Sequence, residues 1–355
     1  MSWEAELWPE WRVECEIGTG SFGTVYKIVR EDIGGTYCAA LKVITIPGKR
    51  HEIKDLKLEN MSDNQIEELY KKLVTDICRE ISVMEKFKGN SNIVSYEDHK
   101  IVKHSNDPGW DILIRMELLK SLPDYLSSTP IGEADVCKIG IDICNALSIC
   151  EKAQIIHRDL KPDNIFISEF GDFKLGDFGL VKYYAPMISA TIPQGTFHYM
   201  APEVYRGESY DYTVDLYALG LIMYRLLNRG REPFLSLPPA AIDQEMREQA
   251  SYRRLSGEEL PKPCDASQKM ASIVLKACAY NPYDRFQTAD EMIAELRKWV
   301  KSQGIINAGE KFARMIKWAI KTDSSVTEKI NDSFDRSQKE KNEAMKDFFS
   351  APGDL

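Results

Sequence analysis

The stretch Ile155-Ile156-His157-Arg158-Asp159-Leu160-Lys161-Pro162-Asp163-Asn164-Ile165-Phe166-Ile167 constrains the fold of this chain more than any other. Its apolar flanks read as short buried strands. Between them, one His, one Arg, two Asp, one Lys and one Asn fall within eight positions. Holding that many polar groups beside a core costs on the order of several kcal/mol unless they pair, bind metal or meet a ligand. The block is therefore either a turn whose charges satisfy one another or a site.

Composition narrows the setting. At 355 residues the chain is long enough for two or three core-bearing units. Apolar residues at 43% and charged residues at 28% are ordinary for a globular protein. The net charge of −9 argues against nucleic acid as the main partner, because binding a phosphate backbone needs a basic face. Eight cysteines form no C-x-x-C pair and no zinc-like spacing, and several lie within apolar helical patterns, so they read as reduced core residues. The N-terminus, rich in Trp and acidic residues, does not suit a signal peptide. The longest apolar run, Leu216 to Tyr224, is too short to cross a bilayer, so no transmembrane segment is expected. Together these features predict a cytoplasmic protein.

Residues 13–44 read as strands turned at Gly34-Gly35. The stretch GTGSFGTVYK, residues 18–27, contains a G-x-G-x-x-G. A dinucleotide-binding fold would need a helix directly after it, and a β pattern follows instead. It is either a glycine-rich hairpin that lays its amides over phosphates or a plain flexible hairpin. Residues 47–61 read as a charged connector. Ser62-Asp63-Asn64-Gln65 then resembles a capping box opening a long helix with apolar positions Ile66, Leu69, Tyr70, Leu73, Ile77, Ile81, Met84 and Phe87. Glu80 falls on that stripe where an aliphatic residue belongs, and Lys42 interrupts the apolar strand Ala39 to Ile44. Each either supplies the partner the other lacks or snorkels to the surface.

Two further strand-like runs, Ile93 to Tyr96 and Ile112 to Leu119, enclose a polar loop. Val136, Ile139, Ile143, Leu147 and Cys150 mark a helix leading into the charged block. A small hairpin follows, from Ile165-Phe166-Ile167 through Gly171-Asp172 to Phe173-Lys174-Leu175. It ends in Gly176-Asp177-Phe178-Gly179, where an Asp between glycines can reach a cation. About two dozen aperiodic residues lead to Ala201-Pro202-Glu203 and read as a functional loop. An apolar helix at 213–227 carries a lone Asp215, a Pro-rich linker follows, and a final helix packs Met292, Ile293, Leu296 and Trp299.

In this order the pieces resemble the eukaryotic-type (Hanks-type) serine/threonine protein kinase domain over residues 11–300, with a connector and strand run of bacterial flavour. The resemblance implies an α+β bilobal fold, with a β-rich N-lobe at 1–119, an insert at 46–75 and a mainly helical C-lobe at 120–300, followed by a charged tail at 301–355. It implies ATP and Mg²⁺ as cofactors. Gly18, Gly20, Gly23 and Val25 would cover the nucleotide, and Lys42, paired with Glu80, would grip its phosphates. Met116 matches the gatekeeper, the Glu117 and Leu119 backbones the hinge, and Ala40 and Phe166 the adenine walls. Asp159 would orient the acceptor hydroxyl and take its proton, with Lys161 offsetting charge. Asn164 and Asp177 would hold metal. Met84, His157, Phe178 and Asp215 match an internal spine, which makes His157 a packing residue rather than a base. Arg285 matches the buried partner of Glu203. Lys161-Pro162 and Gly195-Thr196 resemble enzymes that act on Ser and Thr in protein substrates.

Two other classes stay open on sequence: a kinase-like scaffold that transfers nothing, and a small-molecule phosphotransferase of the same fold. Arg158 implies a loop ordered by phosphorylation, with Lys182 beside it and Thr191 or Ser189 as acceptor; alternatively, acidic groups hold Arg158 and no modification is needed. In the tail, Lys311, Arg314, Lys317 and Lys321 share one helical face. That helix either lies on an anionic membrane surface or docks on the kinase domain.

Overall fold

The computed structural model describes residues 3–20, 23–48, 50–105, 108–177 and 198–303. Ser21, Phe22, the 178–197 segment with Phe178, Lys182, Ser189, Thr191 and Thr196, the basic face of the tail, and the side chain of Glu80 lie outside the described residues.

Five antiparallel strands build the N-lobe sheet: β1 (Arg12–Gly20), β2 (Gly23–Asp32), β3 (Gly35–Ile46), β4 (Tyr96–Lys103) and β5 (Trp110–Met116). They are ordered β1-β2-β3-β5-β4. The two faces of β3 go to different cores. Ala39, Leu41 and Val43 meet Trp3, Trp8, Trp11, Ile28 and Leu113 on one side. Ile44 and Ile46 meet helix residues on the other. Alternate side chains point to opposite faces, so a strand covered on both sides reads as a continuous apolar run. Lys42 shares its face with Ile44.

The helix on that second face is α2 (Asp63–Lys86), preceded by α1 (Arg50–Leu58). Ser62 and Gln65 form the expected capping box: the Ser62 amide donates to Gln65 Oε1 at 2.9 Å, and the Gln65 amide donates back to Ser62 Oγ at 3.4 Å. Ile66, Tyr70, Leu73, Ile77 and Ile81 join one core with Ile44, Ile46, Ile112 and Ile114. The start of α2 is therefore part of the lobe's interior. Within the expected connector, α1 also forms, because Ile53 and Leu56 give its otherwise charged sequence an edge that packs on that core. Met84 touches both this core and that of the C-lobe.

The C-lobe begins at β6 (Lys120–Ser121), α3 (Leu122–Ser128) and α4 (Glu133–Lys152), and continues through the hairpin β7 (Ile165–Ile167) and β8 (Phe173–Leu175). After the undescribed segment come α5 (Pro202–Tyr205), α6 (Thr213–Leu226), α7 (Gln244–Leu255), α8 (Gln268–Ala277) and α9 (Ala289–Ser302). Every residue of α6 from Thr213 to Tyr224 is buried, which is why its sequence is apolar on all sides.

Three expectations need correction. The Pro-rich stretch holds two helices, α7 and α8, each opened by a side-chain cap from Asp243 or Ser267. The polar residues after Tyr96 are strand β4, whose exposed face accounts for their polarity. Ile93 makes only an isolated bridge, to Leu175. Among the described residues, no helix is long and apolar enough to cross a membrane.

Candidate active site

The charged block is held from below by α6. The buried Asp215 carboxylate accepts the amides of His157 at 2.7 Å and Arg158 at 2.9 Å. Burial pushes that carboxyl above its ordinary range, against the pull of the His157 ring and the two amides. His157 lies 1% exposed; its Nε2 faces the Gly176 carbonyl at 3.1 Å, and its Nδ1 faces the Asp159 amide at 3.4 Å. Both ring nitrogens thus face backbone groups of the loop and of the β8 turn. The ring is buried at the base of the loop, where the sequence reading places a packing residue.

This clamp leaves Arg158 at φ 64° and, at the end of β8, Asp177 at φ 51°. Left-handed backbone at a non-glycine residue costs about 1–3 kcal/mol and persists where the surroundings enforce it. Here it aims two neighbouring turns at one cleft. Asn164 ties them together. Its Nδ2 donates to the Asp159 carbonyl at 2.7 Å and to Asp159 Oδ2 at 3.1 Å, while its carbonyl accepts the Gly176 amide at 2.9 Å. Lys161 Nζ lies 3.2 Å from Asp159 Oδ2.

Across the cleft, Lys42 forms an ion pair with Asp177, 135 residues further along the chain. Burial would raise the Asp177 carboxyl, but Lys42, His157 and Lys161 outweigh it and hold it below its ordinary range. The proposed contact of Lys42 with Glu80 lies outside the described side chains. The backbone of Glu80 is within α2, as the periodicity predicts.

The remaining predicted residues are placed by strand register. Gly18 pairs with Val25 across β1 and β2, Gly20 with Gly23, Val25 with Lys42, and Ala40 with Met116. Gly23 has φ 144°, and a Cβ there would stand 2.3 Å from the Val43 carbonyl oxygen, so the close approach of β2 to β3 requires glycine. Phe166, in β7, packs against Gly176, with its ring 2.9 Å from where a Cβ on Gly176 would sit. Glu117 and Leu119 follow β5 and are half-buried. The Glu117 amide donates to the Ser95 carbonyl at 3.0 Å. Beyond the cleft, Arg285 and Glu203 form the expected buried pair at 2.6 and 2.8 Å.

Asp177 and Asn164 offer a carboxylate and an amide oxygen. With Asn164 Nδ2 committed to Asp159, its Oδ1 is the atom left for a cation. Hard oxygen donors of this kind suit Mg²⁺.

The sequence profile of the protein kinase domain matches residues 11–296. The chain belongs to the protein kinase family. Its relatives include a probable serine/threonine-protein kinase of Clostridium perfringens, 30% identical over 260 residues that cover 71% of this chain and 35% of that one. Serine/threonine-protein kinase PknB of Mycolicibacterium smegmatis is 35% identical over 174 residues, 47% of this chain and 26% of its own. The Aurora kinase of Saccharomyces cerevisiae is 28% identical over 288 residues, 80% and 67% of the two chains. This kinase-family chain thus spans about a third or less of the first two relatives.

Two features of the kinase domain were missed on sequence. The Trp3–Trp11 segment covers the outer face of the sheet, with Trp8 Nε1 donating to Asp98 at 2.8 Å and the Arg115 guanidinium 4.9 Å from the Trp8 ring centre. Three tryptophans ahead of the first strand were the available signal. The second is Lys174, a charge in the half-buried strand β8 that bonds Glu117 at 2.7 and 2.9 Å.

Proposed function

We propose that this chain is an ATP-dependent serine/threonine protein kinase that transfers the γ-phosphate of ATP to Ser and Thr hydroxyls of protein substrates. The observation that carries the reading is the convergence of Lys42, Asp159, Lys161, Asn164 and Asp177 on one cleft from three separate parts of the chain. Phosphoryl transfer passes through a loose transition state, so positioning and charge neutralisation do most of the work. Lys42, freed from Asp177 when phosphates enter, grips the α- and β-phosphates under the amides of the glycine hairpin. Asp159, its Oδ2 held by Asn164 and Lys161, orients the acceptor hydroxyl and takes its proton. Lys161 then offsets charge on the γ-phosphate. Asp177 and Asn164 would hold Mg²⁺, which would supply neutralisation of phosphate charge there.

Regulation through the 178–197 segment belongs to the same reading. It is supported by Arg158, whose guanidinium lies 5.5 Å from the Tyr210 ring and lines the same groove as Asp159 and Tyr199. A phosphate of about −2 charge in that segment would pair with it and order the substrate side of the cleft.

The test is transfer of radiolabel from γ-labelled ATP to generic protein substrates, followed by phosphoamino-acid analysis. Lys42→Ala, Asp159→Asn and Asp177→Asn should each abolish transfer while circular dichroism stays native. Near-normal turnover by Asp159→Asn, or phosphotyrosine as the main product, refutes the reading. For the regulatory part, mass spectrometry before and after incubation with ATP should place phosphate on Thr191 or Ser189, and full activity in the Ser189→Ala, Thr191→Ala double variant removes the switch.

A further inference from the structure

The side chain of Glu117 closes a ring of bonds around the back of the cleft. Its carboxylate accepts the Ser95 amide at 2.5 Å, and the Glu117 amide returns a bond to the Ser95 carbonyl at 3.0 Å. The same carboxylate takes Lys174 Nζ at 2.7 and 2.9 Å. Lys174 is in β8, and the next residue, Leu175, is tied to the chain just before Ser95: Val94 donates to the Leu175 carbonyl at 2.9 Å, and Leu175 donates to the Asn92 carbonyl at 2.8 Å. The Lys174 and Glu117 side chains are only 13% and 23% exposed, so the pair is shielded from much of the screening that weakens surface ion pairs.

Lys174 also stands directly across the β7–β8 ladder from Phe166, and Asp177 lies three residues beyond it. One hairpin thus carries both the floor of the adenine space and the Asp177 carboxylate. The hinge, Glu117 to Leu119, carries the other edge. The backbone ladder of Lys120 and Ser121 with Ile167 and Phe166 joins the two at one end, the backbone bonds through Asn92, Val94 and Ser95 join them at another, and the Lys174–Glu117 pair adds a direct side-chain tie. Of these ties, the Lys174–Glu117 pair is the one that links the hinge directly to the strand leading to Asp177, so it bears on the spacing between hinge and floor.

We propose that Lys174 is a positioning residue for nucleotide, acting through the Glu117 carboxylate to hold the hinge at the spacing from Phe166 that an adenine ring requires. This rests on the reading of the cleft as an ATP site and adds the group that sets its adenine end. Lys174 touches neither phosphate nor acceptor, so its effect falls on adenine affinity. Lys42 acts at the opposite end of the nucleotide, and its loss weakens ATP without weakening adenosine.

The experiment measures binding of ATP, and competition by adenosine, with a fluorescent ATP analogue on the full chain. Wild type, Lys174→Met, Glu117→Gln, the double variant and Lys174→Arg are compared, with melting curves alongside. Lys174→Met should weaken ATP and adenosine by the same factor, about tenfold, or ~1.4 kcal/mol. Glu117→Gln should do the same, the double variant should lose no more than either single one, and Lys174→Arg should return to within about threefold of wild type. Adenosine affinity unchanged in whichever of Lys174→Met and Glu117→Gln remains folded overturns the proposal, as do losses that multiply in the double variant. If wild type binds adenosine and ATP but transfers no phosphate, the clamp stands and the kinase reading falls; if wild type binds neither, both fall.

Discussion

Removing Arg285 tests whether the C-lobe depends on one buried ion pair. Arg285 and Glu203 have side chains 0% and 3% exposed. The guanidinium donates to both Glu203 oxygens at 2.6 and 2.8 Å, from Nε to the Ala279 carbonyl at 2.8 Å and from Nη2 to the Tyr280 carbonyl at 3.1 Å, and it lies 4.6 Å from the Tyr217 ring centre. Arg285→Met keeps the apolar stem and removes these donors. The Glu203 carboxylate is left buried without its cation, and losing one partner of a buried pair costs about 3–5 kcal/mol. For a domain of this size that corresponds to a fall in melting temperature of roughly 6–10 °C. The double variant Arg285→Met, Glu203→Leu should recover much of the loss, because it removes the stranded charge instead of leaving it behind. Differential scanning fluorimetry on the single and double variants reads both effects. A single variant that melts within about 1 °C of wild type, or a double variant that melts below the single one, refutes the reasoning.

Three further outcomes follow from the same geometry. Trp8→Ala removes a buried ring that lies against Arg115 and Lys100 and donates to Asp98, so unfolding in urea should show a loss of about 3 kcal/mol, and an unchanged midpoint would mean the segment does not cover the sheet. Asp215→Asn replaces one of two acceptors with a donor facing a backbone amide; it should cost about 1–3 kcal/mol by melting and, on the proposed function, sharply reduce phosphoryl transfer, and retention of both would break the link from α6 to the charged loop. Burial would raise the Glu232 carboxyl, but His198, Arg225 and Arg254 hold it below its ordinary value of 4.5. A lowered carboxylate contributes stability above that ordinary value, and the contribution is lost as pH falls toward the folded-state value. Glu232→Gln should therefore flatten the acid side of the stability–pH curve, and an unchanged slope below 4.5 would exclude Glu232 as its source.

The fold and site divide by the range of the forces that make them. The β-rich run of β2, the apolar run of β3, the capping box of α2, the period of α4 and the charged block at 157–164 are legible in sequence because each depends on neighbours within a few residues. Order along the chain was enough to bring Lys42, Asp159, Asn164 and Asp177 into one reading. Helices α7 and α8 escaped notice because flanking prolines mask segments whose apolar positions make sense only against α5 and α6. Whether a lone charge is an error or a site depends on what meets it. Asp215 and Lys174 look alike in sequence as single charges in apolar runs. Folding gives Asp215 two backbone amides and Lys174 a carboxylate 57 residues away. The cost of burying a charge is set by its partner, and a partner distant along the chain is assigned only when packing closes the loop between them.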